Sequence, residues 1–173
     1  DMSDPTGHPL ADAYAVSDLL DALRLREVGS ARVGWAARAS DPAYPLDDEL
    51  AVGDREARVF AGPSQRQRYE RTFGGQLLAQ AIVAAGRTVS PDPAGAGRPL
   101  HSTHTTFLRS GADTDDVCYV VEPLSDGRSF STRRVSVVQH GALLAVVTAS
   151  FQEDSPGLDH AEPMPAVPDP AEL

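Results

Sequence analysis

Lysine and asparagine are absent from this 173-residue chain, isoleucine occurs once, at Ile82, and cysteine once, at Cys118. A lone cysteine excludes an internal disulfide, so a reducing cytoplasm is the expected compartment. No apolar run approaches the roughly 20 residues that a membrane-spanning helix needs, and the first residues lack the basic-then-apolar order of a secretory leader. All fifteen basic residues are arginine and stand against twenty-five acidic ones, leaving a net charge of −10. A chain that negative repels phosphate backbones and anionic lipid, so nucleic acid and membrane are not expected partners. The missing lysine and isoleucine read as GC-rich codon usage and carry no mechanism.

One local absence matters more. From Thr72 to Pro91 there is no Asp or Glu. Within that stretch Leu77, Leu78, Ala81, Ile82, Ala85 and Val89 share a helical face while the opposite side is mostly alanine, which predicts a buried helix over 75–89. Gly74 and Gly75 open it and leave the amides of its first turn accessible.

The length suits one compact domain with irregular ends. Residues 1–15 are polar and turn-forming, a flexible N-terminus; 16–152 form the domain; 153–173 carry five prolines and no basic residue, the composition of an acidic linker or tail. Ser17 is placed to cap a short helix reaching Leu25, with Leu19, Leu20 and Leu23 at helical spacing. Strand patterns follow at 27–35 and 57–61, separated by an acidic loop from Asp41 to Asp54. After the Gly/Pro-rich loop Pro91 to Pro99, four strands are expected at 102–108, 116–123, 129–139 and 142–152, the last two joined by a hairpin at His140-Gly141. Alternation in the last strand puts Leu143, Ala145, Val147, Ala149 and Phe151 on one face. Cys118, inside the apolar run 117–121, reads as a core residue.

Several blocks carry a resemblance: Phe73-Gly74-Gly75-Gln76, the run from His101 to Arg109, Leu124 to Val135 with its Ser125-Asp126-Gly127-Arg128-Ser129-Phe130 core, and Thr148-Ala149-Ser150-Phe151-Gln152. In this order and spacing the chain resembles the N-terminal half of bacterial acyl-CoA thioesterase II, a double-hotdog hydrolase of medium- and long-chain acyl-CoA. The resemblance runs from about Leu19 to Pro168. It implies an α+β hotdog fold, a curved antiparallel sheet wrapped around one long central helix, and acyl-CoA hydrolysis by water without metal or redox cofactor. It also implies that the catalytic Asp, Thr and Gln belong to a second repeat, and that this half is structural and channel-forming. The expected partners are the acyl-CoA substrate and a second hotdog repeat or subunit, fused or as a homo-oligomer.

The substrate-binding candidates are Phe73, Gly74, Gly75, Gln76 and Arg71. Amides at Gly75 and Gln76 would polarise a thioester carbonyl, because a helix N-terminus carries partial positive charge. Arg66, Arg68 and Arg71 would steer the phosphates of coenzyme A. Gln76 and Gln152 are weak catalytic candidates, since an amide orients water but cannot act as a base at neutral pH. Gln80 lies one turn from Gln76 and either joins it in the cleft or satisfies buried backbone. His101 and His104, three apart on a strand, face opposite sides and make no metal pair. Arg133 and Arg134 likewise face apart, one toward a carboxylate inside the fold. The rival reading is a non-catalytic acyl-CoA-binding or interaction module, favoured by the carboxylate-free helix. A fragment whose catalytic half lies elsewhere is a second, and a self-sufficient single hotdog using Asp113, Asp115 or Asp126 a third.

Overall fold

The structure is a computed structural model that describes residues 16–35, 52–67, 69–89, 97–169 and 171. Its elements are α1 (Val16–Ala22), β1 (Arg26–Trp35), β2 (Val52–Gly62), α2 (Gly74–Gly86), β3 (Leu100–Phe107), β4 (Val117–Asp126), β5 (Phe130–Gln139) and β6 (Ala142–Gln152). The six strands form one sheet in the order β1-β2-β4-β5-β6-β3. All five neighbouring pairs are antiparallel. The chain leaves β2, crosses the sheet as α2, and returns as β3 on the far edge, so α2 packs against β3, β4, β5 and β6. This is the α+β hotdog fold.

Period-two alternation builds the inner face of the sheet. Val117, Tyr119 and Val121 of β4, Val135 and Val137 of β5, and Ala145, Val147, Ala149 and Phe151 of β6 are buried against Leu77, Ala81, Ala84 and Ala85 of α2. Each buried Val, Leu or Phe side chain contributes about 1.5–3 kcal/mol. The alanines contribute less area but let the sheet close on the helix; Ala81 and Ala84 have no exposed surface, so a larger residue there would overpack at a cost of about 1–3 kcal/mol. His140 and Gly141, with φ of 51° and 72°, form the expected two-residue hairpin between β5 and β6.

Five expectations need correction. β2 begins at Val52, paired with Trp35, so the end of the acidic stretch to Asp54 is strand rather than loop. The rest of that stretch, like residues 1–15 and 91–96, lies outside the described residues. In β6, Val137 pairs with Ala145 while Val138 pairs with Leu143, leaving Leu144 as an extra residue. That bulge reverses the alternation, and Leu144 rather than Leu143 becomes buried. Cys118 is only half-buried, because it alternates with Val117 and Tyr119 and so faces the outer side. Helix α1 starts at Val16, before Ser17, and both Leu19 and Leu20 point outward. Helix α2 stops at Gly86, where Thr88 Oγ1 donates to the Ala85 carbonyl at 2.7 Å and closes its end.

Candidate functional site

Sequence places Phe73 in extended conformation immediately before α2, and no side chain caps that helix. Two rings bracket the glycine pair that follows. A Cβ at Gly74 would lie 3.3 Å from the Phe107 ring, and one at Gly75 would collide with the Phe73 ring. Both phenylalanines are more than half exposed. Beside Phe107 opens a cavity of about 330 Å³, walled by Gly74 and Leu77 of α2 and by Phe107, Leu108 and Arg109 at and just beyond the end of β3. None of its lining residues is acidic.

A polar clasp holds the wall of this cavity. Thr72 N–H donates to the Gly111 carbonyl at 3.0 Å and its hydroxyl to the Ala112 carbonyl at 2.8 Å. The buried Gln139 amide accepts from Ala112 N–H at 2.7 Å and donates to the carbonyls of Ala112 and Asp115. Leu108 and Arg109 N–H both donate to the carbonyl of the bulged Leu144. Gly111 is required where it sits, because a Cβ there would lie 2.7 Å from Leu144 Cδ1 and 3.0 Å from Gln139 Oε1. Asp113, also buried, accepts from Gln67 N–H at 2.6 Å and pairs with Arg66 at 3.5 Å, fixing the segment that leads into α2. Sequence reasoning did not single out Phe107, Arg109 or Gln139; their roles come from the loop after β3 folding back onto α2, which no local pattern announces.

The glutamines of α2 are committed to the fold. Gln76 Nε2 donates to the Pro63 carbonyl at 2.8 Å, its Oε1 accepts from Gln65 N–H, and its own N–H donates to the Phe73 carbonyl at 3.0 Å. Gln80, fully buried, donates to the carbonyls of Ala22 and Pro63 and accepts from the Tyr119 hydroxyl. Burial, helped by the neighbouring Cys118, pushes that hydroxyl's pKa well above the tyrosine range. Together they pin α1 and the end of β2 onto the central helix. Of the two expected amide donors at the helix start, Gly75, like Gly74 before it, precedes the first intrahelical acceptor, whereas Gln76 already donates to Phe73.

Gln152 is not brought to this place. The Phe107 end of β3 pairs with Ala145, while Gln152 ends β6 beyond Phe151, which pairs with Leu100 at the other end. There it borders a separate cavity of about 200 Å³ beside His101 and Glu153. His101 stands edge-on to the Phe130 ring at 5.8 Å. Arg133 is the inward arginine of its pair, 2 % exposed and bonded to Asp126, while Arg134 is exposed. Asp115 pairs with His140 at 3.6 Å. Arg68 lies outside the described residues. No group of three or more His, Cys, Asp or Glu able to hold a metal occurs among the described residues, and no helix there is long and apolar enough to cross a membrane.

A sheet wrapped on one helix, with a cavity at a glycine-opened helix start, defines a hotdog unit of the thioesterase type. Residues 61–152 match the family model described as acyl-CoA thioesterase N-terminal domain, and the chain belongs to that family. It is 41 % identical over 130 residues to acyl-coenzyme A thioesterase 8 of Mus musculus, covering 75 % of this chain and 37 % of that protein. It is 40 % identical over 109 residues to acyl-CoA thioesterase 2 of Haemophilus influenzae, covering 63 % and 36 %. Among solved structures it resembles the acyl-CoA thioesterase II TesB2 of Mycobacterium marinum, with 42 % identity, a TM-score of 0.54, and 66 % of this chain and 41 % of that one covered. The chain thus spans little more than a third of the length of these curated relatives.

Proposed function

We propose that this chain is a hotdog unit of an acyl-CoA thioesterase II that hydrolyses medium- and long-chain fatty acyl-CoA to free fatty acid and coenzyme A. The cavity at the uncapped start of α2 carries the reading, because it joins an apolar wall of Leu77, Phe107 and Leu108 to unfilled backbone donors at Gly74 and Gly75. Such donors polarise a thioester carbonyl. Water then attacks the carbonyl carbon; a C–O bond forms, the C–S bond breaks, and the sulfur leaves as a thiolate that takes up the proton the water releases.

That attack needs a base, and α2 contributes no carboxylate. The nearby aspartates are engaged elsewhere, Asp113 with Gln67 N–H and Asp115 with His140. The base therefore comes from a second hotdog unit, fused, separate or identical, seated against the edge of β3 that no described strand pairs. In this reading Phe73, Gly74, Gly75 and Arg71 face the substrate, Gln76 positions the helix start, and Gln152 stands outside the site. The cytoplasm is the compartment such an enzyme would occupy.

The test is hydrolysis of a medium-chain acyl-CoA by the chain alone and with a second hotdog unit supplied. Turnover that appears only with the second unit supports the reading. Acyl-CoA binding without turnover under either condition favours instead a binding module, the alternative to which the carboxylate-free helix also points.

A further inference from the structure

Arginine is the sole strong cation of the chain, and most of its copies have fixed partners. Arg24, Arg26 and Arg58 pair with Asp21, Asp116 and Glu27. Arg66 and Arg133 pair with Asp113 and Asp126. Arg55, Arg87 and Arg98 donate to backbone carbonyls or to Ser131. Arg71 and Arg109 differ: neither guanidinium has a hydrogen bond or ion pair among the described residues, and both are exposed. Arg128 and Arg134 also lack partners there, but Arg128 sits in the β4–β5 turn and Arg134 on β5, away from the cavity.

Topology brings Arg71 and Arg109 to one loop cluster. Arg71 pairs in register with Ala112, three residues beyond Arg109, and Arg109 lines the cavity at the start of α2. Asp113, next to Ala112 in the chain, is buried and turned to Gln67 N–H and Arg66, so it does not neutralise them, and the exposed Glu70 beside Arg71 makes no ion pair among the described residues. In a protein of net charge −10, Arg109 in the cavity wall and Arg71, paired to the loop that follows it, bring two uncommitted guanidinium groups to one loop cluster. Guanidinium forks match phosphate oxygens, and an exposed pair gathers an anion that the rest of the surface repels.

We infer that Arg71 and Arg109 form a phosphate-recognition site at the mouth of the cavity, taking the pyrophosphate-bearing portion of coenzyme A. This rests on the acyl-CoA reading and assigns the phosphate contact to Arg109 with Arg71, in place of Arg66, which the fold occupies. The cavity holds the apolar and thioester part, and the charged part remains at the rim.

Calorimetric titration of the whole chain with coenzyme A and, separately, with inorganic pyrophosphate tests it, using the wild type, Arg109→Gln, Arg71→Gln and, as control, Arg134→Gln. The expected result is a loss of about fivefold to tenfold in affinity for both probes in the first two variants, with melting temperatures and the Arg134→Gln affinity unchanged. The slope of log Kd against log salt should also fall, since each removed arginine deletes one screened contact. Absence of binding by the wild type to either probe overturns the site, as does equal binding by all four proteins. Arginine-dependent binding without acyl-CoA hydrolysis in the assembled protein would leave the site standing and defeat the thioesterase reading. Hydrolysis whose KM ignores Arg109→Gln would do the reverse.

Discussion

The ring of Phe107 stands against the backbone of Gly74, so near that a Cβ added there would lie 3.3 Å from its Cε1 and Cζ atoms. This contact ties the end of the edge strand to the start of the central helix. Gly74→Ala should push the ring outward, which its 54 % exposure permits. Alanine also favours the helical backbone by up to about 1 kcal/mol over glycine. Stability should therefore stay within about 1 kcal/mol of wild type, by denaturant titration. The KM for acyl-CoA in the assembled enzyme should rise several-fold, because the methyl group narrows the cavity mouth. An unchanged KM would sink the assignment of this cavity to substrate.

Arg133 gives a pH dependence with a definite sign. Burial raises the Asp126 carboxyl, but the hydrogen bonds from Arg133 and Ser131, with the charges of Arg133 and Arg98, more than offset it, and the pKa ends below its ordinary value. A depressed carboxylate contributes stability that is present above its unfolded pKa and is lost as pH falls through the folded one. The unfolding free energy should therefore drop as pH is lowered from about 5 toward 3, and Asp126→Asn should flatten part of that slope. Identical acid titration curves for the two proteins would contradict the assignment. Arg133→Met should cost about 1–3 kcal/mol at neutral pH, since the carbonyls of Thr88, Ser125 and Thr132 lose their donor.

Tyr119 and Gln80 test the buried polar clamp. Tyr119→Phe leaves Gln80 Oε1 without its donor in a site closed to water, a loss of about 1–3 kcal/mol by thermal or denaturant unfolding. The wild-type hydroxyl, with its raised pKa, keeps its proton at alkaline pH in the folded protein but releases it near pH 10 once unfolded. Stability should accordingly fall as pH rises past about 10, and the phenolate absorbance of Tyr119 should appear only with unfolding. Ionisation of all tyrosines in the native protein near pH 10 would defeat this account.

How much of this was legible in the sequence depends on the range of the interaction. The alanine face of α2, the His140-Gly141 hairpin and the last three strands are local patterns, and they stand where periodicity put them. Leu143 was assigned inward because alternation assumes an unbroken ladder, and the bulge at Leu144 arises only from its register with β5. Gln76 and Gln80 have the spacing of two residues facing a cleft, yet both face the Pro63 carbonyl, brought there by the return of β2. The Gly74-Gly75 pair could be flagged but not its neighbours, since Phe107 and Arg109 reach it only through the crossover to the far edge.

The same crossover makes β3 the outer strand of the sheet, bonded to β6 on one side and presenting its other edge outward. Leu100, Phe107 and Leu108 are exposed along it. An exposed edge strand of this length invites pairing, and a lysine on such an edge is the usual way proteins prevent it. The wild-type chain should thus associate at micromolar concentration in light scattering, and Thr103→Lys, altering an exposed position midway along β3, should shift it toward monomer without changing its melting temperature by more than about 2 °C. A wild type that stays monomeric at every concentration would remove β3 as the seat of the second hotdog unit. If association survives Thr103→Lys, the pairing runs through another surface, and the cavity at the start of α2 would then need its catalytic carboxylate from a different direction.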